Sequence, residues 1–291
     1  MVEQIAVVTD STADLPAELI AELGVRVVPL RVNIDGRAAL DGVDVTPHEV
    51  AEALRAKAIV TTSRPSPAEF AATYQRCLDA GASHVVSVHL AAPLSGTWES
   101  ATLAAQDFGH GVVRVVDSRS TAMALGFAVL AAARSARAGA TAAQVQGAAT
   151  ATVDNTRTLF YVDTLEYLRR GGRIGTATAL LATSLAVKPL LQMVEGRVVA
   201  LEKVRTPSKA LARLVQLTAA AAGPGPVDLA VHHLDAFERA EAVAAQLRAA
   251  VPQIGELYVA ELGAVVGAHL GPGVIGTVVA TRKEDTLEGT K

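Results

Sequence analysis

The chain has 291 residues, of which 51% are hydrophobic but only 3% are aromatic. The length predicts about two domains, because a single core seldom grows beyond ~250 residues. The scarcity of aromatic side chains predicts that any cavity is lined by Ala, Val, Leu and Ile, which suits an aliphatic ligand better than a stacked base. The formal charge of −3 and the lack of a dense Lys/Arg cluster argue against nucleic-acid binding.

A single cysteine, Cys77, excludes an internal disulfide framework and a multi-cysteine zinc site, and it fits a reducing compartment. The first residues lead directly into a strand, without the cationic and apolar segments of a signal peptide. The sequence also has no uninterrupted stretch of about 20 apolar residues and no HExxH metal motif. We therefore expect a cytoplasmic protein without stable membrane insertion, without a metal and without a cofactor.

Strands alternate with helices through the first half of the chain. Short segments rich in β-branched residues predict strands at 5–9, 25–34, 85–90 and 112–116. Helical patterns cover 46–57, 66–81, 99–108, 121–138 and 141–156. The dipeptide Asp35-Gly36 adds a hairpin signal, and capping boxes begin at Thr46 and Ser66. The alternation predicts a mainly parallel, three-layer α/β domain over residues 1–152.

The second half has a different pattern, in which strands follow one another more closely. Strands are predicted at 158–162, 190–194, 198–204, 227–232, 256–261 and 274–280. Helices are predicted at 165–170, 177–185, 208–222 and 236–251. A hairpin signal at Glu195-Gly196 indicates antiparallel pairing. We expect a second, α+β domain over residues 153–282 and a polar tail at 283–291.

A strand-to-helix turn at Ser95 is the first candidate site. Ser95, Gly96 and Thr97 follow a predicted buried strand, and ligands bind at the carboxyl ends of parallel strands, where helix N–H groups face the crevice. The two hydroxyls and the small glycine favour an oxyanion, although a helix N-cap would use the same residue types. Ser11 should lie on the same sheet edge, where capping alone could also explain it.

Two further segments are candidates. Thr62 and Ser63 fall in a predicted loop before a helix, where they could bind a ligand or only form a turn. His269 lies in a glycine-rich segment, 263–273, which we expect to be a thin loop that leaves the imidazole exposed. A histidine with a structural role is an equally good interpretation.

Motifs spread along the chain resemble those of the DegV family, the bacterial fatty-acid-binding proteins that serve as the lipid-carrying subunit of a two-component fatty acid kinase. No single motif is decisive, but they occur in order through nearly the whole chain. They are ThrAspSerThr at 9–12, ThrSer-x-ProSerPro at 62–67, LeuSerGlyThr at 94–97, ValAspSer at 116–118, TyrLeuArgArgGlyGlyArgIle at 167–174, LysProLeuLeu at 188–191, GluLysValArgThr at 202–206 and GlyAlaHisLeuGlyProGly at 267–273.

The resemblance implies one long-chain fatty acid in an apolar tunnel between a parallel-sheet domain and a second α/β domain. In the family the carboxylate is held by the residues that match Thr62 and Ser95, with the histidine that matches His269 nearby. A partner kinase then uses ATP to phosphorylate the carboxylate, which gives an acyl phosphate for lipid synthesis. The residues expected to support the head-group site are Ser11, Ser63, Gly96 and Thr97.

Two arginines in family-like motifs, Arg173 and Arg205, are expected in exposed segments where they would meet an acidic surface of the kinase; solvated surface cations are the alternative. The sequence departs from the family at two positions. Arg64 stands where glutamine is usual, and Leu270 stands where a small residue is commoner. Arg64 is expected to alter the charge at the mouth of the pocket.

A serine hydrolase is the strongest alternative function, with Ser95 as the nucleophile and His269 as the base. Against it, the turn lacks the Gly-x-Ser-x-Gly pattern, and no orienting acid can be named. A phosphate- or sugar-binding enzyme is a second alternative. The sequence has neither a Walker loop nor a dinucleotide glycine fingerprint, which weakens that reading.

Overall fold

A computed structural model of the chain describes residues 3–180 and 188–282. Its strands are β1 (Ile5–Asp10), β2 (Arg26–Val28), β3 (Arg31–Ile34), β4 (Arg37–Leu40), β5 (Val60–Ser63), β6 (His84–His89), β7 (Val113–Asp117), β8 (Thr156–Tyr161), β9 (Lys188–Val194), β10 (Arg197–Val204), β11 (Val227–His233), β12 (Ile254–Glu261) and β13 (Ile275–Thr281). Its α-helices are α1 (Ala17–Leu23), α2 (Pro47–Arg55), α3 (Pro67–Asp79), α4 (Thr97–Ala105), α5 (Met123–Arg137), α6 (Ala142–Asp154), α7 (Glu166–Arg170), α8 (Pro207–Ala222), α9 (Phe237–Ala250) and α10 (Ala264–Leu270). Short 3₁₀ segments cover Ser11–Ala13 and Gly175–Leu180.

The first sheet has four parallel strands in the order β2-β1-β6-β7. Because side chains alternate along a strand, Val7 of β1 packs with α5 and α6 on one face, whereas Val8 packs with α3 and α4 on the other. This confirms the predicted three-layer α/β arrangement. The helices predicted for this half begin within two residues of the predicted starts, and the capping boxes at Thr46 and Ser66 are both formed.

A small antiparallel sheet, β4-β3-β5, lies beside the first. Thr62 pairs with Val32 and Ser63 pairs with Arg31. The expectation that Thr62 and Ser63 occupy a loop is therefore wrong, because they form the end of β5. The strand has only four residues, too few for a periodic pattern to reveal, and its partner strand supplies the hydrogen bonds that extend it.

The second sheet has six strands in the order β10-β9-β8-β13-β11-β12, and only β11 and β12 run parallel. Helices α8 and α9 cover its outer face. Helix α5 packs against its inner face as well as against the first sheet, which is why residues 122–130 are buried all round. The hairpin β9-β10 is present as predicted. Of the helix predicted at 177–185, the structure describes a 3₁₀ turn to Leu180, and residues 181–185 lie outside the described ranges.

Helix α10 connects the second half of the chain to the first. Ala264, Val265 and Ala268 belong to the same core cluster as the parallel sheet. Its N-terminus is held by two acidic side chains of the first half: Asp14 accepts the Gly263 N–H at 3.0 Å, and Asp41 accepts the Ala264 N–H at 2.9 Å. A domain boundary near residue 153 stays a prediction, but α10, which follows that boundary in the sequence, packs into the core of the first half. No helix in the described ranges is long and apolar enough to cross a membrane.

Candidate functional site

A cavity lies between the two large sheets, beside the N-terminus of α5. Counting its open mouth, it holds about 940 Å³ of empty space. Its lining is mainly aliphatic, and no Asp or Glu belongs to the part of its wall that the structure describes. The apolar lining consists of Leu30, Leu90, Leu94, Ala122, Phe160, Leu168, Met193, Val198, Leu262, Val265, Val266, Leu270, Val274 and Val278.

Polar groups in the interior of the cavity bond to the protein itself. The Nε2 atom of His232 accepts the Met123 N–H at 3.1 Å, and its Nδ1 lies 3.3 Å from the Ala260 carbonyl. Burial lowers the pKa of His232 to about 4, so the ring is neutral at pH 7. The Thr277 hydroxyl lies 2.7 Å from that of Thr218. Since these groups are already paired, the interior offers a ligand mostly hydrocarbon surface.

Thr62 and His269 meet at the mouth of the cavity. Although they are 207 positions apart, Thr62 Oγ1 lies 2.8 Å from His269 Nε2. The expectation of a thin, exposed loop around His269 is wrong, because the residue closes helix α10 and its side chain is partly buried. Burial, and then the positive charge of Arg173, lower the pKa of His269 to about 4. The imidazole is therefore neutral at pH 7.

Two glycines let helices α7 and α10 interlock behind this pair. A Cβ on Gly171 would lie 2.2 Å from Nδ1 of His269, and a Cβ on Gly271 would lie 2.0 Å from a ring carbon of Tyr167. Both distances are far below van der Waals contact. The enclosed Nδ1 has no hydrogen-bond partner in the described part of the protein. Gly171 thus leaves the space that the ring occupies, and in the sequence it is marked only by being one of two adjacent glycines.

Ser95 also lies in the wall of the cavity. Its Oγ is 2.9 Å from Oγ1 of Thr97. Helix α4 begins at Thr97 after Gly96, and no side chain caps it, so the alternative that Ser95 or Thr97 is the N-cap is wrong. The Ser95 hydroxyl is consequently available at the cavity wall.

The other predicted supporting residues divide into two groups. Ser63 lies in the cavity wall, but Ser11, Gly96 and Thr97 do not belong to its described lining. The Ser11 hydroxyl accepts the Leu30 N–H at 3.1 Å and faces a neighbouring cleft. Thr97 is fully buried.

Two of the three arginines singled out in the sequence, Arg64 and Arg173, lie in the cavity wall, and Arg205 does not. Arg173 is half-buried in the cavity wall and donates through Nε to the Leu94 carbonyl at 2.9 Å, so the expectation that it is exposed is wrong. Arg64 is exposed at the rim, where its guanidinium lies against Gly96. Arg205 is exposed in the turn between β10 and α8. A docking role for Arg173 and Arg205 stays a prediction.

The structure does not support the serine hydrolase alternative. In the described ranges no hydrogen bond joins Ser95 to His269. A chain with the geometry of a catalytic triad does occur elsewhere: Asp10 Oδ2 lies 2.9 Å from His89 Nδ1, and His89 Nε2 lies 2.6 Å from Ser87 Oγ. All three residues have 0% exposed surface, so no substrate can reach this serine. Nor do the described residues include a group of three or more His, Cys, Asp or Glu suited to a metal.

Comparison with known proteins gives consistent matches over the whole fold. The family model that matches residues 4–282 is that of the DegV family. A DegV domain-containing protein of Streptomyces coelicolor is 52% identical over 282 residues, which cover 97% of this chain and 100% of the relative. A DegV family protein from Thermus thermophilus, described as fatty-acid-binding, has a TM-score of 0.91 and 39% identity, with 96% and 100% of the two chains covered. The DegV fatty acid binding protein from Bacillus subtilis has a TM-score of 0.87 and 32% identity, with the same coverage.

Proposed function

Since the chain belongs to the DegV family, we propose that it binds one long-chain fatty acid and presents its carboxylate to an ATP-dependent kinase. The acyl chain occupies the apolar interior of the cavity, and the carboxylate lies at the mouth against Thr62 and Ser95. The protein itself has no catalytic turnover and needs no cofactor besides the bound lipid. It acts in the cytoplasm and supplies acyl phosphate to phospholipid metabolism.

The observation that carries this proposal is the change of polarity along the cavity. The interior is mainly aliphatic, and its hydroxyls and the His232 ring are bonded within the protein. The wall that contains Thr62 and Ser95 also contains two arginines, so the cationic and hydroxyl donors lie at one end. Burying an alkyl chain contributes about 0.8 kcal/mol per methylene, before the cost of ordering the ligand. The apolar interior therefore supplies affinity, and the polar mouth fixes which end of the lipid faces outward.

Because His269 is neutral, its tautomer determines whether the Thr62 hydroxyl donates or accepts the hydrogen bond between them. The enclosed Nδ1 has no acceptor among the described residues, so the tautomer with its hydrogen on Nε2 is favoured over one that buries an unpaired N–H. Nε2 then donates to Thr62 Oγ1 across 2.8 Å. The Thr62 hydroxyl hydrogen is left to point at a ligand, where a carboxylate oxygen accepts it.

The proposal is tested first by native mass spectrometry of the purified protein, which should show a co-purified fatty acid. Thr62→Val, which removes the hydroxyl but keeps the shape, should weaken fatty-acid binding by about 1.5–3 kcal/mol, roughly tenfold to a hundredfold, because it removes a hydrogen bond to a charged group. Thr61→Val is the matched control, since Thr61 is an exposed neighbour on the same strand. Equal affinity of the two folded variants would exclude Thr62 as a carboxylate ligand.

The role in phosphoryl transfer is tested by adding the kinase and ATP. Wild-type protein loaded with fatty acid should give acyl phosphate only when the kinase is present. Ester hydrolysis with a burst that leaves an acyl group on Ser95 would instead revive the hydrolase alternative. If protein that binds fatty acid normally gave no acyl phosphate with any kinase, the presenting role would be refuted and only lipid binding would remain.

A further inference from the structure

The cavity contains an unbalanced charge. The charged side chains in its described wall are Arg64 and Arg173, and the two histidines there, His232 and His269, are neutral at pH 7. No carboxylate of the described residues forms an ion pair with either arginine. By contrast Arg31, on the neighbouring strand β3, is paired with Glu69. The mouth therefore carries two positive charges that no carboxylate in the described ranges neutralises.

The two guanidinium groups come from different elements and approach the same turn, residues 94–96. Arg64 follows strand β5, and its Nη1 lies 3.4 Å from the Gly96 carbonyl, at the long end of a hydrogen bond. Arg173 follows α7 and donates to the carbonyls of Leu94 and Gly171. Backbone carbonyls position these groups without cancelling their charge. Each guanidinium has five N–H donors, so donors remain for an anion.

We propose that Arg64 adds a second positive charge beside Arg173, and that this added charge makes the site bind a dianionic head group more tightly than a carboxylate. The inference rests on the proposed function, in which the product carries a phosphoryl group on one oxygen of the original carboxylate. A carboxylate neutralises one of the two charges, whereas a phosphoryl dianion neutralises both. The site therefore holds the phosphorylated lipid after transfer and releases the unphosphorylated one more readily.

Glutamine at position 64 provides the direct test. The Arg64→Gln side chain keeps a hydrogen-bond donor but removes the charge and the guanidinium fork that pairs with phosphate oxygens. Because Arg64 is exposed, its charge is partly screened, and the expected effect is about fivefold to tenfold. Arg248→Gln on α9 is the matched control, since it removes one exposed positive charge outside the cavity wall.

The experiment measures binding of hexadecanoate and hexadecyl phosphate to the full chain at pH 8 and pH 5.5. A phosphate monoester has a second pKa of about 6, so it is mainly a dianion at pH 8 and mainly a monoanion at pH 5.5. Wild type should prefer hexadecyl phosphate about fivefold to tenfold at pH 8, and the preference should shrink at pH 5.5. His232 and His269, with pKa values of about 4, contribute little to this change.

Each result has a definite consequence. In Arg64→Gln the preference at pH 8 should disappear while hexadecanoate affinity changes by less than about threefold, and Arg248→Gln should match wild type. Equal loss of both lipids in Arg64→Gln, or an unchanged preference, would overturn the role of Arg64. Failure of the wild type to bind hexadecanoate would overturn the proposed function itself. Binding of hexadecanoate with no preference for hexadecyl phosphate would overturn only the anion site.

Discussion

Replacing Gly171 by alanine should damage the site through a single steric contact. The new Cβ would lie 2.2 Å from Nδ1 of His269, 2.8 Å from its Cε1 and 3.3 Å from the Tyr167 carbonyl. Ordinary carbon contacts are about 3.5–4.0 Å, so the imidazole must move by more than about 1 Å. Gly171 has φ −73° and ψ −11°, which alanine adopts freely. The backbone therefore adds no strain, and the ring takes the whole displacement.

The expected magnitude follows from two contributions. Overpacking a fitted contact costs about 1–3 kcal/mol of stability. Moving the ring also stretches the 2.8 Å contact between His269 Nε2 and Thr62, which is worth about 1 kcal/mol. Without that contact the Thr62 hydroxyl is no longer aimed at the ligand. We expect fatty-acid affinity to fall roughly tenfold, since a lost hydrogen bond of about 1.4 kcal/mol corresponds to that factor.

Gly172→Ala is the matched control for this variant. Gly172 has φ +71°, so alanine there is strained by about 1–2 kcal/mol, but no atom lies within 4 Å of its Cβ. Both variants should lose stability in urea unfolding, and only Gly171→Ala should lose affinity in fatty-acid titrations. Wild-type affinity in Gly171→Ala, or an equal loss in Gly172→Ala, would refute the argument that Gly171 positions His269.

Three further expectations concern separate parts of the molecule. Arg205→Glu should leave fatty-acid binding intact but weaken association with the kinase and make it less dependent on salt, because it reverses an exposed charge; unchanged phosphorylation would remove Arg205 from the docking surface. Ser87→Ala should lower the free energy of unfolding by about 1–3 kcal/mol, because it removes the buried hydroxyl that bonds to both the Tyr74 hydroxyl and Nε2 of His89. Its fatty-acid affinity should not change, and a change would link this buried network to the cavity. The folded-state pKa of His269, about 4, lies below the usual value of 6.5, so its contribution to stability is present above pH 6.5 and is lost as the pH falls towards 4. Between pH 7 and pH 5 wild type should therefore lose up to about 2 kcal/mol more than His269→Asn in urea unfolding, and identical losses would contradict the lowered pKa.

Local signals predicted most of the secondary structure and the family. The capping boxes at Thr46 and Ser66 are formed because each uses only atoms within one helical turn. The parallel sheet followed from alternation of strands and helices, and the family match confirms the resemblance carried by the motifs. What these signals have in common is that the interacting residues are neighbours in the sequence.

The wrong expectations for Thr62, His269 and Arg173 depended on distant residues. Glycines at 267, 271 and 273 predict a loop around His269, but Asp14 and Asp41 satisfy the first N–H groups and stabilise a helix there. Arg173 was expected to be exposed, yet its side chain turns towards the carbonyl of Leu94, 79 residues earlier. A single sequence does not reveal such contacts, because no local pattern around either residue indicates which distant residue it will contact.

The position of β13 has a consequence for synthesis of the protein. This strand is the last of the thirteen described, yet it pairs with β8 on one side and β11 on the other, in the middle of the six-stranded sheet. While the ribosome is still making the chain, β8 and β11 each present an unpaired edge, and such edges promote aggregation. The sheet is complete only when β13 lies in the gap, and α10, which holds His269 beside Thr62, immediately precedes β13 in the chain. A chain that ended before α10 would therefore lack both the strand that joins β8 to β11 and the histidine that contacts Thr62.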